Sequence, residues 1–287
     1  MDTVLALHGQ TTLYSNLASD IRVAEQAGFP GLEVATPKLL RCLDAGVKPE
    51  ELKQLFRKFR VQPVCIDILG DVERIDPEGR KCLLSEAQRL CSTARTLGCP
   101  TVQLNAFSGL QGRPESEILR LTAGNIAEIA DIGAEYGIRF QIEGAAWTPI
   151  HSLSQCLNLI EMTERENVGL VIDFWHLWAT RETSPEEVAR LDHSLIYGVH
   201  LCDGLRPPEG ESWPEETLLR DCMPGDGQLP IREWVSAVQA TGYDGVWSGE
   251  ILGHRLWEMD HLEIAIEMRE RMASYLQLEK SSSGGHS

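Results

Sequence analysis

The chain has 287 residues, 43% of them hydrophobic and 24% charged, which is enough apolar material for a sizeable core. Its 26 basic and 43 acidic side chains leave a formal charge of −17, which disfavours nucleic acid and anionic membrane surfaces as partners because both require a positive face. No apolar run approaches the ~20 residues of a membrane span, and the opening MDTVLALHGQ lacks the basic and long apolar regions of a secretory signal.

Short apolar runs alternate with helical periodicity from one end of the chain to the other. Val4–His8 reads as a strand, followed by a helix over 19–28 with Ile21, Ala24 and Ala27 inward. Gly31–Ala35 is the second strand, and 49–59 is a helix with Leu52, Leu55, Phe56 and Phe59 at i, i+3, i+4, i+7. Gln62–Leu69 is the third strand, and 77–97 a long helix stopped by Gly98. The pattern continues as strand 101–105, helix 114–136 stopped by Gly137, strand 139–143, helix 152–163, strand 168–173 and a short helix over 185–191. Strand 195–201, helix 231–240, strand 245–250 and a last helix over 260–276 follow, the last with Leu262, Ile266, Arg269 and Met272 on one stripe.

Eight strand–helix units predict parallel strands closed into a single-domain (β/α)8 TIM barrel over residues 1–278. An open doubly wound sheet is the rival, weakened because no GxGxxG follows the first strand. Residues 279–287 read as a polar disordered tail. The eight scattered cysteines form no CxxC pair and read as reduced core thiols of a cytoplasmic protein. The long polar stretch 203–228 becomes a βα loop on the catalytic face.

A barrel gathers its chemistry at the C-terminal ends of its strands. Those positions hold His8, Glu33, Asp67, Asn105, Glu143, Asp173, His200 and Glu250. Burying carboxylates there is costly unless they are paired or bound to a cation. Glu143, Asp173, His200 and Glu250 end four consecutive strands, a ligand set for one divalent ion: Mn, Co, Zn or Mg. His8 and Glu33 either line the pocket floor or are satisfied strand-end polar groups. Arg220, before the Pro224-Gly225-Asp226-Gly227 turn, could hold an anionic group of a substrate.

The runs Ile142-Glu143-Gly144, Val171-Ile172-Asp173-Phe174-Trp175-His176, Gly198-Val199-His200-Leu201-Cys202-Asp203, Pro224-Gly225-Asp226-Gly227 and Ser248-Gly249-Glu250 resemble the sugar isomerase/epimerase superfamily of xylose-isomerase-like barrels. Ala27-Gly28-Phe29-Pro30-Gly31-Leu32-Glu33-Val34 fits that family's second strand. The resemblance implies that Glu143, Asp173, His200 and Glu250 bind one metal and that His176 and Arg206 contact substrate. It also makes a homo-oligomer the family-level expectation. Strands three and four end in Asp67-Ile68-Leu69 and Asn105-Ala106-Phe107, without the histidines of the DNA-repair branch. Pro149 stands where the ketose epimerases carry a second substrate-binding Glu.

Isomerising a polyhydroxy ketone requires removing a proton beside its carbonyl. Glu143 and Glu250 either exchange that proton as well as ligate, or ligate only. The same equipment serves elimination of water, so a dehydratase acting on an inosose or a dehydroshikimate-like acid is the alternative; a non-catalytic sugar-binding barrel is a third. Five of the seven tryptophans (Trp147, Trp175, Trp178, Trp213 and Trp257) follow strands five to eight, and indoles there, Trp175 included, could stack on a cyclic substrate.

Overall fold

Apolar β-rich runs bounded by Gly, Pro and polar residues become strands, and each is followed by at least one helix. The computed structural model describes residues 3–209 and 213–278; the tail expected at 279–287 lies outside them. In chain order the first half holds β1 (Val4–His8), α1 (Leu17–Ala27), β2 (Gly31–Ala35), α2 (Thr36–Asp44), α3 (Pro49–Phe59), β3 (Gln62–Leu69), α4 (Pro77–Leu97), β4 (Thr101–Leu104) and α5 (Glu115–Tyr136). The second half holds β5 (Arg139–Ile142), α6 (Leu153–Thr163), β6 (Val168–Asp173), α7 (Phe174–Ala179), α8 (Pro185–Val188), β7 (Ile196–Leu201), α9 (Glu216–Leu219), α10 (Ile231–Ala240), β8 (Val246–Gly249), α11 (His254–Trp257) and α12 (His261–Tyr275).

The strands close in sequence order, every neighbouring pair parallel, with β1 against β8 sealing the (β/α)8 barrel. Closure leaves no exposed sheet edge. The register aligns the chemistry at one end: His8 pairs with Glu33, and Asp173 with His200. Gly98 and Gly137 stop α4 and α5 at φ of +80° and +67°, conformations a side chain would strain.

Four helices escape the periodic reading: α2, α7, α9 and α11. Each is short, and α2 and α7 begin directly where a strand ends, so no polar turn separates the two periods. The inward stripe of α12 also differs from expectation. Ile264, Ala265, Met268 and Met272 are buried, whereas Ile266 is exposed. The helix packs against α1 and β1 through an i, i+4 ridge rotated away from Leu262 and Arg269. All eight cysteines are free, and five of them are buried.

Two buried polar clusters fasten the loops at the C-terminal end of the barrel. The Asp203 carboxylate accepts backbone N–H groups from Gly204 (2.7 Å), Gly225 (2.8 Å), Gly227 (2.9 Å) and Leu229 (3.0 Å). A Cβ on Gly227 would lie 2.2 Å from Asp203 Oδ1, so the turn requires glycine for its close approach. After β1, the buried Lys38 ammonium donates to Gly9 O (2.8 Å) and Thr12 O (2.6 Å) and pairs with Asp20 at 2.8 Å. Burial lowers the Lys38 pKa and raises that of Asp20, each opposed by attraction to the other. Removing one member leaves a buried charge uncompensated, which typically costs about 3–5 kcal/mol. Lys38→Met is expected to lose stability of that order in urea denaturation; an unchanged midpoint would mean that the cluster is solvated.

Candidate metal centre and active site

The eight strand-end polar residues are all buried, and they converge. His200 is the hub. Its Nδ1 lies 3.2 Å from Glu143 Oε1, 3.5 Å from Asp173 Oδ2 and 3.8 Å from Glu250 Oε2, while its Nε2 faces Glu33 Oε2 at 3.3 Å. Glu143, Asp173 and His200 each offer a donor atom within 4.8 Å of the others, and His8, His200 and Glu250 form an overlapping trio. Neither ring nitrogen of His200 completes a hydrogen bond among the described residues, although carboxylate oxygens crowd both. An imidazole with no hydrogen-bond partner among the described residues, gathered with three carboxylates, suits a divalent cation with mixed oxygen and nitrogen preference.

Neighbouring groups hold these donors in place. Asn105 Nδ2 donates to Glu143 Oε2 at 2.9 Å, and the His176 backbone N–H donates to Asp173 Oδ1 at 2.7 Å. Glu33 accepts from Ser248 Oγ and, at 3.3 Å, from Gln141 Nε2, so its carboxylate stands fixed beside His200 Nε2. With a divalent ion among Glu143, Asp173 and Glu250, a carboxylate at Nε2 would favour the tautomer that offers the Nδ1 lone pair to that ion.

The electrostatics follow from crowding negative charge into a dry space. Burial pushes the Asp67 carboxyl well above its ordinary range, reinforced by Glu33, Glu143 and Glu250. Glu250 is raised to about 7 by burial, with Arg220 and His200 opposing. Burial also works to raise Glu33 and Glu143, but the neighbouring histidines outweigh it, taking Glu33 to about 2 and Glu143 below its usual value. Burial lowers His8 to about 4, whereas for His200 the surrounding carboxylates overcome burial and raise it.

The residues singled out from sequence occupy different positions around this hub. His8 packs edge-on against His200, with 4.9 Å between ring centroids, and its Nδ1 accepts the Gln10 N–H. His176 lines the cavity; its Nδ1 accepts the Ala146 N–H at 3.2 Å, which leaves its proton on Nε2. Trp175 is fully buried, and its indole N–H donates to Leu205 O. Arg206 turns away from the cluster, stacks over Trp178 at 4.0 Å and donates to that residue's carbonyl. The cation at the cluster is Arg220, buried and paired with Asp173 (3.2 Å), Glu250 (2.5 Å) and Glu216 (2.7 Å). Its charge is therefore committed to protein carboxylates rather than to an anionic substrate group. Glu216 escaped the sequence reading; its i, i+4 spacing from Arg220 was the available signal.

A cavity of about 150 Å³ opens onto the cluster, lined by Asp67, Asn105, Glu143, His176, Glu250 and Trp147 among others. A wider groove of about 1020 Å³ lies at the opposite end, among strand beginnings such as Val4, Gln62, Arg139 and Val246, and contains none of the converging carboxylates. The smaller cavity is where the chemistry can occur.

A family model described as xylose isomerase-like TIM barrel matches residues 21–275. The chain belongs to that family. Within reach of it, an inosose isomerase of Halalkalibacterium halodurans is 25% identical over 258 residues, spanning 89% of this chain and 90% of its own. A 3-dehydroshikimate dehydratase of Pseudomonas aeruginosa is 24% identical over 277 residues, spanning 93% of this chain and 42% of its own. A crystal structure of the IOLI protein with a bound zinc atom superposes with a TM-score of 0.87 at 24% identity, covering 97% of this chain and 99% of that one, and shares the fold.

Arg220 is expected to carry much of the cluster's stability when no ion is added. Arg220→Met should destabilise metal-stripped protein by about 3–5 kcal/mol in urea, the usual cost of leaving buried partners uncompensated. Adding a divalent ion should recover part of the loss. An unchanged urea midpoint would show that the carboxylates are neutral without Arg220.

Proposed function

We propose that the chain is a divalent-metal-dependent isomerase or epimerase of a small polyhydroxy ketone, such as an inosose or a related cyclitol or sugar. The observation that carries this reading is the convergence of Glu143, Asp173, His200 and Glu250 from four successive strand ends, with Glu143 and Glu250 lining one small cavity. The inosose isomerase relative, alike over nearly its whole length, supports the substrate class. A zinc atom in the fold neighbour supports the cofactor class. Manganese, cobalt, zinc and magnesium all suit the donor set.

A divalent ion held by Glu143, Asp173, His200 and Glu250 would supply Lewis-acid stabilisation of the negative charge that develops on the substrate's carbonyl oxygen. The protein's own groups do the rest. Glu143 and Glu250 both face the cavity and are held by different partners, Asn105 for one and Arg220 for the other. One carboxylate removes the proton beside the carbonyl and the other returns a proton, to the opposite face of the same carbon for epimerisation or to the former carbonyl carbon for isomerisation, where the neighbouring hydroxyl proton passes to the former carbonyl oxygen. His176 stands at the cavity wall with its Nε2 facing Glu216, and contacts a substrate hydroxyl by exchanging that partner for the substrate. Asp67, Asn105, Glu143 and Glu250 on the cavity wall are buried, which keeps the proton-transferring carboxylates out of bulk water.

Elimination is the second reading, favoured by the dehydratase relative, which is alike along 93% of this chain. The test is incubation of metal-loaded protein in D2O with a panel of inososes, ketoses and 3-dehydroshikimate. Deuterium at the carbon beside the carbonyl, reduced by about 10²-fold or more in Glu143→Gln and Glu250→Gln, is the expected result. A conjugated product absorbing in the ultraviolet would transfer the assignment to a dehydratase. Neither exchange nor elimination across the panel would contradict both and leave a sugar-binding barrel.

A further inference from the structure

Beside the catalytic cavity lies a second chamber of about 350 Å³, lined by Trp147, Trp175, Trp213, Pro214, Glu215 and Glu216. Two of these, Trp147 and Glu216, also line the catalytic cavity, so the chambers share a wall. The wall is built from a contact between side chains. The Trp147 indole N–H donates to Glu216 Oε2 at 2.9 Å, and its ring stacks on Phe107, with 5.4 Å between centroids and 16° between planes. The other Glu216 oxygen accepts from Arg220 (2.7 Å) and faces His176 Nε2 (3.3 Å). Glu216 thus joins the rim of the outer chamber to the groups beside the carboxylate cluster.

Three features set what the outer chamber can hold. At about 150 Å³ the catalytic cavity has room for one small ring, well below the ~300–1,000 Å³ of ordinary ligand sites, whereas the two chambers together fall within that range. Trp147 is 48% exposed although it stacks on Phe107, and Trp213 keeps part of its ring exposed although it packs edge-on against Trp175, so some indole surface remains at the opening. Among the described residues, the charged groups of the lining are Glu215 and Glu216, both acidic, which repel a phosphate or carboxylate.

We propose that the outer chamber is a second substrate subsite that takes an uncharged, flat, apolar substituent on the ring held in the catalytic cavity. The substrate class is then a ring ketone of the sugar or cyclitol type bearing such a group, for example an aryl glycoside oxidised to a ketone, and not a sugar phosphate. The inference rests on the assignment of the catalytic cavity made above. The Trp147–Glu216 contact forms the threshold that the link between the two parts of the substrate crosses, and Trp213 is the stacking surface beyond it.

The test uses metal-loaded full-length protein and three probes followed by calorimetry: methyl β-glucoside, phenyl β-glucoside and phenyl phosphate. Phenyl β-glucoside is expected to bind about tenfold more tightly than the methyl compound, in keeping with one aromatic stacking contact. Trp213→Ala should abolish that advantage without weakening the methyl compound, and Trp213→Phe should restore most of it. Phenyl phosphate should bind more weakly than phenyl β-glucoside. Equal affinity for the two glucosides, no binding of either, an advantage unaffected by Trp213→Ala, or tighter binding of phenyl phosphate would overturn the proposal. Failure of the underlying catalytic assignment shows separately, as wild-type protein that takes up no divalent ion.

Discussion

Negative charge buried at one end of the barrel is the constraint to which the surrounding structure answers. Glu33, Asp67, Glu143, Asp173 and Glu250 are all buried within one layer of side chains around His8 and His200. Ionised carboxylates withdrawn from water cost several kcal/mol each unless a cation or hydrogen-bond donors meet them. The molecule answers in three ways. Asp67 is pushed towards its neutral form, mainly by burial. His200 is pushed towards its charged form by the carboxylates around it. Arg220 is brought in from the loop after β7 to pair with Asp173 and Glu250. A divalent ion among the same oxygens would relieve the repulsion more fully than any of these, because it places two positive charges at the point of greatest crowding.

The loops at this end are built to hold that arrangement. Asp203 gathers four backbone N–H groups and so fixes the glycine-rich turn of the segment that carries Arg220. On the other side, Thr11 Oγ1 donates to Gly249 O and accepts from Ile251 N–H, clasping the backbone on both flanks of Glu250. The Thr11 loop is in turn secured by Lys38, whose ammonium sits between Gly9, Thr12 and Asp20. Polar residues buried away from the cavity thereby pre-organise those inside it, the condition under which charged groups act without reorganising during reaction.

The barrel was legible from period because its strands are short apolar runs and its two longest helices end at glycines; β1, β2, β3 and β6 fall where the runs predict. The short helices were not, since four to nine residues cannot display an amphipathic period, and α12 presented two plausible stripes of which packing chose one. At the site, strand-end position alone singled out the side chains that meet around His200. What it missed depended on loops. The family resemblance implied substrate contact for Arg206, whereas in the structure Trp178 offers its ring and its carbonyl to the guanidinium. Arg220 meets Asp173 from 47 positions along the chain, and Asp203 holds the turn just beyond Arg220 through Gly225, 22 positions away, contacts that no local pattern displays. Glu33 could be read either as pocket floor or as a satisfied strand group; standing beside His200 Nε2, it serves the hub instead of pointing idly into the barrel.

The account's central claim is that this carboxylate-rich hub is a divalent-ion site. Elemental analysis of the purified chain beside Glu250→Ala tests it most directly. About one equivalent of manganese, cobalt, zinc or magnesium in the wild-type chain, lost from the variant, is the predicted result. Wild-type protein that contains none of these ions and takes up none when they are added would contradict the claim and leave the buried carboxylates as a structural network held by Arg220 and His200.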